Sequence, residues 1–597
     1  MAHRPFQPRA GTPRVPLRFR AGYLRAAVRF SAGALLLAAC ALALAACERA
    51  GSERARLLDL AAAGRLGGLH IVQRAPTGAP AGAERTLMIV ATGDLKGWLT
   101  HATLDLHARG GRGEGLAFLA PHIADLRAEH PGLILLDAGD TLLGAPSAAL
   151  AIAEGVVPPI VAAMNRLRYD AMTLGNVDAG LGWPVLAGAR AAAAFPWLSA
   201  NAVLPDGGTA LAPYAVLERD GVRVGVLGLT TPATSLGRDP RVLGDVAFAD
   251  LAATARRWVP ILRQVERVDV LIGLFHSGLD DRFARDAALR SGLPLFAAAG
   301  RVAEAGLGFD LIVAGDAQRL SPRRPSDGAT PYGTPVLEPG AFGNGLALAT
   351  LNLRAQDGHW TVTGVGRRTL PARAAPDPHL LAALAEPLRR TRVWLAAPTQ
   401  VRLRRAPRKA EFYRCAGALS HAVAVAESGE TAARVLSLLP MRWHYVRPDP
   451  EEIGGPLRRA HLLRWMRFDE TLVRGRLTGR QVALLLDGTV RQLHGWRVPP
   501  PAVLWPGGLR IALPQEGSEL TELHRLGDGS PLAPDAAAPV WLTAFLWYGG
   551  LGLAQQALLP GGPPEREAPQ PLRSALFALL SDTAFDPPPE CARWLAR

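Results

Sequence analysis

Short, continuous apolar segments recur between residues 86 and 355 of the chain. LMIVAT, GLILLD, DAMTLG, RVGVLGL, VDVLIGLF and FDLIVAG are apolar at successive positions and rich in branched side chains. This pattern is typical of strands that are buried on both faces of a sheet. Segments with helical spacing, such as GLAFLAPHIADLRAEH, lie between them. The alternation of the two patterns predicts an α/β domain over residues 86–355.

A second unit follows a proline-rich boundary. Residues 374–400 hold one helical pattern, HLLAALAEPLRRTRVWLA, which predicts a single helix that connects two domains. Residues 401–597 contain further apolar runs, including ETLVRGRLTGRQVALLLD and APVWLTAFLWYGG. The whole chain has 597 residues, which is more than one hydrophobic core usually organises. We therefore expect a smaller C-terminal domain over residues 401–597.

The N-terminal segment has the pattern of a targeting sequence. Residues 1–30 carry arginines and no acidic residue, and residues 31–46 form an apolar stretch too short for a membrane span. The stretch ends in LAAC at Cys47, which resembles a bacterial lipoprotein cleavage site; LAAC at Cys40 is a second match. The resemblance implies a signal peptide over residues 1–47 and a lipid anchor on Cys47. Residues 48–85 are rich in Ala, Gly and Arg, which predicts a flexible tether.

The residue after Cys47 indicates the membrane in which the protein is expected. Glu48 is not the aspartate that retains such lipoproteins at the inner membrane, so the pattern implies a periplasm-facing position, lipid-anchored at the outer membrane. An ordinary signal peptide and a single anchor helix are the alternatives. Cys415 and Cys591 are the cysteines of the remaining chain. In an oxidising periplasm they could pair, or each could be free and buried.

Charge narrows the choice of partners. The formal net charge is +14, and Lys96 and Lys409 are the only lysines among 66 basic residues. A basic protein can attract nucleic acid or anionic lipid. The sequence has no dense basic run, no zinc-finger spacing and no basic helix interleaved with aromatic residues. We therefore expect no nucleic-acid polymer as a partner.

Polar residues follow most of the predicted strands. Ligands of α/β proteins bind beyond the carboxyl ends of strands, so these residues predict one shared site. Carboxylate, amide and imidazole groups are also the groups that hold paired metal ions in hydrolases. The strand-end residues are Asp94, Asp140, Asn176, Asn201, His276 and Asp316.

The order of the motifs resembles one family. GDLKG, LLDAGDTLLG, YDAMTLGNVDAG, VDVLIGLFHSG and FDLIVAGDAQ are similar, in this order, to the motifs of the 5′-nucleotidase family of two-domain metallophosphoesterases. That family includes cyclic phosphodiesterases and a thiosulfate-pathway sulfate esterase. The resemblance implies an α/β fold: a four-layer metallophosphoesterase (calcineurin-like) sandwich plus a smaller C-terminal α/β domain of the 5′-nucleotidase type. It also implies a site for two metal ions.

The chain departs from the family pattern at several ligand and catalytic positions. Lys96 stands where the family has a metal-binding histidine, and Val177 stands where it has the catalytic histidine. Gly180 falls at the position of the aspartate that partners that histidine. Asp316 and Gln318 replace the two histidines of the last motif, and Asp178 replaces a glutamate. No residue of this chain is therefore assigned the catalytic role.

These departures affect the two implied metal ions differently. The first ion would keep Asp94, Asp140 and the weak ligand Gln318. The Lys96 ammonium beside them cannot act as a ligand, because it has no lone pair to donate. Our hypothesis is that Lys96 replaces this ion and pairs with Asp94 and Asp140. A Lys96 side chain that points into solvent is the alternative. The second ion would keep Asp140, Asn176, His276 and Asp316, which still suit one divalent ion of Mn, Mg or Ca.

Aromatic residues of the second domain are candidates for ligand binding. Phe468 and Phe545 align with the rings that stack on a nucleoside in the family, and Trp547 and Tyr548 lie beside the second of them. Core packing is the alternative role for these rings. Glu470 replaces an asparagine that would contact the base. His101 and His107 lie near the first motif, where either could compensate for the lost histidine or simply sit in a surface loop.

Three functions are compatible with these sequence features. The preferred one is a periplasmic lipoprotein of the family, with weak or no hydrolase activity, that binds a small anionic ligand or nucleotide. The second is an active hydrolase of nucleotides or related phosphate or sulfate esters that uses a single atypical metal ion. The third is a non-catalytic structural or partner-binding protein of the outer membrane.

Overall fold

The computed structural model covers most of the chain beyond residue 80. It describes residues 81–597 except 101–113, 236–237, 280–297, 323–325, 328–331, 357, 374, 431–434, 441–446, 467–469, 494–503, 508, 512–522, 526–528 and 549–563. The predictions for residues 1–80, His101, His107 and Phe468 lie outside the described residues. Among the described residues, no helix is both long and apolar enough to cross a bilayer.

Strand β1 (Glu84–Thr92) shows why the apolar segments form buried strands. Successive side chains of a strand point to opposite faces. Met88 and Val90 pack into one hydrophobic cluster, whereas Ile89 and Ala91 pack into another on the opposite face. Both faces of the strand are therefore covered, which explains a run of apolar residues without polar alternation.

Among the described residues, fifteen strands belong to the first domain. They form a seven-stranded sheet in the order β12-β15-β14-β1-β2-β3-β4, a six-stranded sheet in the order β11-β13-β10-β9-β7-β6, and the short pair β5-β8. After β1 the strands are β2 (Ile134–Asp137), β3 (Ala171–Thr173), β4 (Trp197–Leu198), β5 (Ala202–Val203), β6 (Tyr214–Arg219), β7 (Val222–Thr230), β8 (Ala247–Phe248), β9 (Val270–His276), β10 (Leu311–Ala314), β11 (Leu320–Ser321), β12 (Ser326–Asp327), β13 (Val336–Pro339), β14 (Gly345–Gln356) and β15 (His359–Pro371).

Helices cover the outer faces of both sheets. The helices of this domain are α1 (Leu116–Glu129), α2 (Pro146–Ala153), α3 (Pro159–Arg166), α4 (Asn176–Ala179), α5 (Trp183–Ala192), α6 (Pro240–Leu243), α7 (Leu251–Pro260) and α8 (Ala299–Glu304). α1, α3 and α5 pack on the seven-stranded sheet, and α7 and α8 pack on the six-stranded sheet. The sheets share the apolar cluster between them. The four-layer α/β sandwich predicted from the family resemblance is thus confirmed.

The connecting segment forms two helices, where the sequence pattern had suggested one. α9 (Pro378–Ala383) and α10 (Ala385–Ala396) are separated at Leu384, whose φ of −105° and ψ of 12° lie outside the helical region. Pro387 explains the break, because a proline has no N–H to donate and its ring clashes with the carbonyl four residues earlier. The seven-stranded sheet also continues to Pro371, beyond the predicted domain boundary at residue 355.

The second domain is a smaller α/β unit. Its strands form sheets in the orders β18-β16-β25, β20-β17-β23-β19-β24 and β21-β22. They are β16 (Pro398–Leu403), β17 (Ser437–Pro440), β18 (Pro456–Arg458), β19 (Thr471–Thr478), β20 (Leu504–Gly507), β21 (Leu509–Ile511), β22 (Leu523–Arg525), β23 (Ala537–Thr543), β24 (Arg566–Pro571) and β25 (Leu595–Ala596). Its helices are α11 (Lys409–Ser428), α12 (Arg459–Trp465), α13 (Gly479–Leu493), α14 (Ala544–Trp547) and α15 (Leu572–Ser581).

A disulfide joins α11 to the C-terminal end of the chain. Cys415 and Cys591 pair across 176 residues of sequence, and both are fully buried. Phe412, Trp465 and Trp594 surround the bridge with ring centroids 5.4–6.2 Å apart. The sequence left open whether Cys415 and Cys591 pair, and in the structure they form a disulfide.

Candidate functional site

The candidate site lies where several strands of the two sheets end. Asp94 and Lys96 follow β1, Asp140 follows β2, and Asn176 follows β3 at the first residue of α4. Since β1, β2 and β3 are parallel neighbours, their carboxyl ends meet at one edge. His276 ends β9 and Asp316 follows β10 in the other sheet.

Backbone hydrogen bonds fix the loop after β1 against the loop after β2. The N–H groups of Asp94 and Lys96 donate to the carbonyls of Gly139 and Asp140, each at 2.8 Å. The loop after β3 also approaches the loop after β2 closely and requires glycine, because a Cβ on Gly175 would lie 2.1 Å from the backbone nitrogen of Asp140. The loops are therefore held together before any side chain contributes.

Lys96 lies inside this cluster. Its Nζ donates to Asp140 Oδ2 at 2.6 Å and lies 3.0 Å from Asp94 Oδ1. Lys96, Asp140 and Asp94 are 4%, 1% and 0% exposed, so the ammonium is almost completely removed from water. Among the described residues, Asp94 Oδ1 has no well-directed hydrogen bond, so its contact with Nζ is an ion pair. Asp94 Oδ2 accepts the N–H of Asp316 at 2.9 Å.

The ion pair shifts the ionisation of its members. Burial raises the pKa of Asp140, but the positive charge of Lys96 outweighs it and lowers the pKa to about 2. Burial lowers the pKa of Lys96, and the two carboxylates overcome this effect and raise it well above its ordinary value. The lysine is therefore fully protonated and Asp140 fully ionised at neutral pH.

His276 organises a second group of polar side chains. Its Nδ1 lies 2.7 Å from the carbonyl oxygen of Ala138, which places a proton on Nδ1. Its Nε2 lies 3.2 Å from Asn176 Oδ1, 3.3 Å from Asp140 Oδ1 and 3.8 Å from Asp316 Oδ1. All four predicted ligands of the single-ion site are thus brought to one point by the fold.

Charge around the imidazole favours its protonated form. Burial lowers the pKa of His276, but the neighbouring carboxylates, led by Asp140, raise it to about 9. Burial raises the pKa of Asp316 to about 7, against the attraction of His276. With both Lys96 and His276 protonated, the cluster holds two cations against its carboxylates.

Val177, at the position of the family's catalytic histidine, and the neighbouring Asp178 have backbone and packing roles. The N–H of Val177 donates to Asp140 Oδ1 at 2.8 Å, and its side chain carries no group that could transfer a proton. The Asp178 carboxylate accepts the N–H groups of Thr141 and Leu142 at 2.8–3.0 Å and is fully buried. Asp178 therefore holds the loop after β2 in place.

Other predicted residues have surroundings that differ from those of the buried cluster. Asn201 is buried, and its side chain bonds to the backbone of Thr230 and Ala249, so it joins strand ends instead of facing the site. Gln318 is exposed. Phe545 is half-buried against the core of the second domain, and Trp547 belongs to that core.

Strained backbone marks the site. Asp94, Lys96, Asp140, Asp316 and Gln318 all have positive φ, between 49° and 69°. Non-glycine residues adopt this conformation infrequently, and it costs of order 1 kcal/mol or more per residue. Strain of this kind concentrates at functional sites. The unusual backbone conformation therefore coincides with the loops that carry the predicted site residues.

The donor set does not suit a pair of metal ions. Asp94 and Asp140, which would hold the first ion, are already paired with the Lys96 ammonium. Across the part of the chain that the structure describes, no group of three or more His, Cys, Asp or Glu side chains is arranged to hold a metal ion. The 3.2–3.8 Å contacts around Nε2 instead match a protonated imidazole among oxygen acceptors.

Sequence reasoning missed one segment beside the site. Asp239 and Arg241 contact Tyr548 and Glu567 of the second domain. Arg238, next in the chain, lies against Gly180 at the end of α4. The sequence feature that could have identified this segment is its position shortly after the end of β7.

Comparison with known proteins identifies relatives that match part of this chain. No family model matches the chain. A 2′,3′-cyclic-nucleotide 2′-phosphodiesterase/3′-nucleotidase from Yersinia enterocolitica is 27% identical over 314 residues, which cover 48% of this chain and 47% of that protein. The chain matches about half or less of the length of its curated relatives.

Solved structures agree with the two-domain architecture. A Staphylococcus aureus structure assigned to the 5′-nucleotidases has a TM-score of 0.66 at 16% identity, covering 84% of this chain and 98% of its own. A 5′-nucleotidase precursor from Thermus thermophilus has a TM-score of 0.58 at 23% identity, covering 83% and 96%. At these sequence identities the solved structures show that the fold is shared. The evidence of sequence similarity comes from the curated relatives. The chain is therefore related, by sequence and by fold, to the 5′-nucleotidase family of metallophosphoesterases.

Proposed function

We propose that this protein is a periplasmic, lipid-anchored member of the family in which phosphoester hydrolysis is weak or absent, and that its cleft binds a small anionic ligand. One observation carries the proposal: the Lys96 ammonium lies buried between Asp94 and Asp140. These are the carboxylates that, by the family resemblance, would otherwise share a metal ion.

An ammonium cannot supply the chemistry of a metal ion. A divalent ion lowers the pKa of bound water and offers open positions to a phosphoryl oxygen. Lys96 has three N–H donors and no coordination position, and its strongest donor contact already goes to Asp140. Val177 adds no proton donor nearby. Among the described residues, the cluster pairs its two cations with carboxylates and contains no group that would generate a nucleophilic hydroxide.

The cellular location rests on two features. The LAAC motif ending at Cys47 supports lipidation of that residue. The buried Cys415–Cys591 disulfide suits an oxidising compartment such as the periplasm. A small ligand or nucleotide from the periplasm would reach the cleft of an anchored protein without crossing a membrane.

A second candidate function is hydrolysis with one atypical metal ion. The observation that favours it is the convergence of Asn176, Asp140 and Asp316 oxygens on His276 Nε2. By chemical type these oxygen and nitrogen donors suit Mn, Mg or Ca, although in the described residues they contact one another and form no group arranged to hold an ion. Such an ion would have to displace the proton from Nε2.

Metal analysis combined with an activity assay tests the proposal. We expect purified protein to contain far less than one equivalent of transition metal, and Mn²⁺ to leave aryl phosphate hydrolysis at the level of an Asp140→Ala variant. Mass spectrometry of the metal content and release of the aryl alcohol are the measurements. Stoichiometric metal together with turnover that Asp140→Ala abolishes would establish the single-ion hydrolase instead.

Lipidation has its own test. We expect a Cys47→Ser variant to lose incorporation of an alkyne-labelled fatty acid and to move from the membrane to the soluble periplasmic fraction. A Cys40→Ser variant is the matched control and should be labelled like the wild type. Equal labelling of the Cys47→Ser variant would contradict the proposed anchor and point to the earlier motif or to an uncleaved helix.

A further inference from the structure

A cavity opens at the ends of strands β9 and β10 that lie opposite the buried charged cluster. Its volume of about 540 Å³ falls within the range of small-ligand sites. Asp269 and Asp310, the residues before the two strands, line the cavity, whereas His276 and Asp316 mark the other strand ends. β9 has seven residues that each rise about 3.3 Å, so the cavity lies roughly 20 Å from the cluster. The two places are therefore separate.

The backbone around this cavity is irregular in two places. Ile261–Val265, which follows α7, is a π-helix, and its residues Arg263 and Gln264 line the cavity. Arg267, which also lines it, has a positive φ of 51°. π-helical turns and left-handed non-glycine residues both occur frequently at functional sites. Two backbone features that accompany functional sites thus coincide at this cavity.

Both carboxylates of the cavity are bound by protein donors. Asp269 accepts two backbone N–H groups, at 2.9 and 3.0 Å. Asp310 accepts one backbone N–H and Nη2 of Arg263, each at 2.7 Å. Arg263 Nη1 in turn donates to the carbonyl oxygen of Asp269 at 2.9 Å. These negative charges and Arg263 therefore form the frame of the cavity, because they connect the loops that precede the strands.

Other polar side chains of the cavity are not used by the protein. The side chains of Arg267, Gln264 and Thr361 form no hydrogen bond or ion pair with any described residue, and all three residues are exposed. They supply a guanidinium, an amide and a hydroxyl, each of which can donate hydrogen bonds. His359, whose side chain is 59% exposed, adds an imidazole next to Asp269. The cavity therefore offers donors and a permanent positive charge to a ligand.

Apolar side chains also line the cavity. Val268 and Trp360 are 5% and 4% exposed, and Val362 is partly buried. Apolar surface next to a few hydrogen-bonding groups is the usual composition of a small-molecule site. The carbon skeleton of a ligand would contact these side chains while a charged group of the same ligand faces Arg267.

We propose that this cavity is a second ligand site, which binds the phosphate or carboxylate group of a small organic molecule through the Arg267 guanidinium. The paired N–H groups of a guanidinium match two oxygens of either anion. Gln264 and Thr361 supply further donors from the same cavity. The inference goes beyond the proposed function, because it requires neither Lys96 nor a metal ion.

Calorimetric titration of the full-length protein in detergent, with a chelator present, tests this site. The probes are glycerol 3-phosphate, adenosine monophosphate and succinate, which separate phosphate from carboxylate recognition. At least one probe should bind the wild type, and Arg267→Gln should weaken that binding about 10- to 100-fold through the loss of charge-assisted hydrogen bonds. Arg256→Gln is the matched control, since Arg256 is also exposed but lies on α7 outside the lining of the cavity. It should bind like the wild type.

Further variants keep the test decisive. Arg267→Lys retains the charge without the paired donors and should bind with an affinity between those of the wild type and Arg267→Gln. Thr361→Trp places a large ring in the cavity and should remove binding, whereas Thr361→Ser keeps the hydroxyl and should bind like the wild type. Both positions are exposed, and thermal unfolding of each variant shows that it is folded.

The outcomes separate this site from the buried cluster. Equal affinities for the wild type and Arg267→Gln, or no binding of any probe, would overturn the inference and leave the impaired-hydrolase proposal standing. Binding that Asp140→Ala weakens and Arg267→Gln does not would assign the ligand to the cluster and overturn the inference as well. Metal-dependent hydrolysis, in a protein whose chelator-resistant binding is still lost in Arg267→Gln, would overturn the proposed function and support this site.

Discussion

A Lys96→Met variant is expected to lose about 3–5 kcal/mol of unfolding free energy in the presence of a chelator. Methionine keeps most of the side-chain volume but removes the charge. Asp94 and Asp140 would then face each other in a buried site where His276 is the remaining counter-charge among the described residues of the cluster. Removing one partner of a buried ion pair costs more than the pair itself contributes, because the remaining charge stays out of water. Urea unfolding followed by fluorescence measures the difference.

The chain supplies a matched control for this substitution. Lys409 is its other lysine, and it is exposed at the start of α11, so Lys409→Met should change stability by less than about 0.5 kcal/mol. If the ammonium stands in for a metal ion, Mn²⁺ should restore part of the stability of Lys96→Met and none to the wild type. Unchanged stability of Lys96→Met, or equal stabilisation of both proteins by Mn²⁺, would contradict the substitution of lysine for metal.

The loop that carries Lys96 is also coupled to the rest of the molecule. Trp98, two residues further on, packs in one apolar cluster with Leu395 of α10 and Leu463 of α12. Phe342, whose N–H donates to the Asp94 carbonyl at 2.9 Å, packs against the same cluster. A change in charge at residue 96 could therefore alter how the second domain packs, in addition to the local site.

The fold was predictable because its signals are local and repeated. β1 and β9 are apolar on both faces, since each lies between a helix layer and the opposite sheet. The order of strand-end residues then indicated which loops meet. The break between α9 and α10 could have been read from Pro387, yet the helical spacing of the flanking residues concealed it.

The site was predictable only in part. Strand-end position identified Asp94, Asp140, Asn176, His276 and Asp316, which the fold does bring to one edge. The same criterion failed for Asn201, because a buried amide can equally serve to join two strands. Nothing in the sequence indicated that Arg238 would lie on Gly180, since that contact joins two loops that are far apart along the chain.

Loss of the Cys415–Cys591 bridge should lower the unfolding free energy of the second domain by about 2–5 kcal/mol. The bridge closes a 176-residue loop, so in the unfolded chain it removes many conformations. The double variant Cys415→Ala/Cys591→Ala removes it without leaving a reactive thiol. Trp465 and Trp594 pack around the bridge and should report the transition by fluorescence in urea.

Reductant provides the internal control for this prediction and connects it to the compartment. Dithiothreitol in urea should lower the stability of the wild type to that of the double variant and leave the variant unchanged. If the chain folds in an oxidising periplasm, wild type isolated from that compartment should already contain the bridge, whereas protein retained in a reducing cytoplasm should unfold like the variant. A wild type that ignores reductant and matches the variant would show that the cysteines pack as free thiols, and the disulfide would then give no support to the periplasmic location.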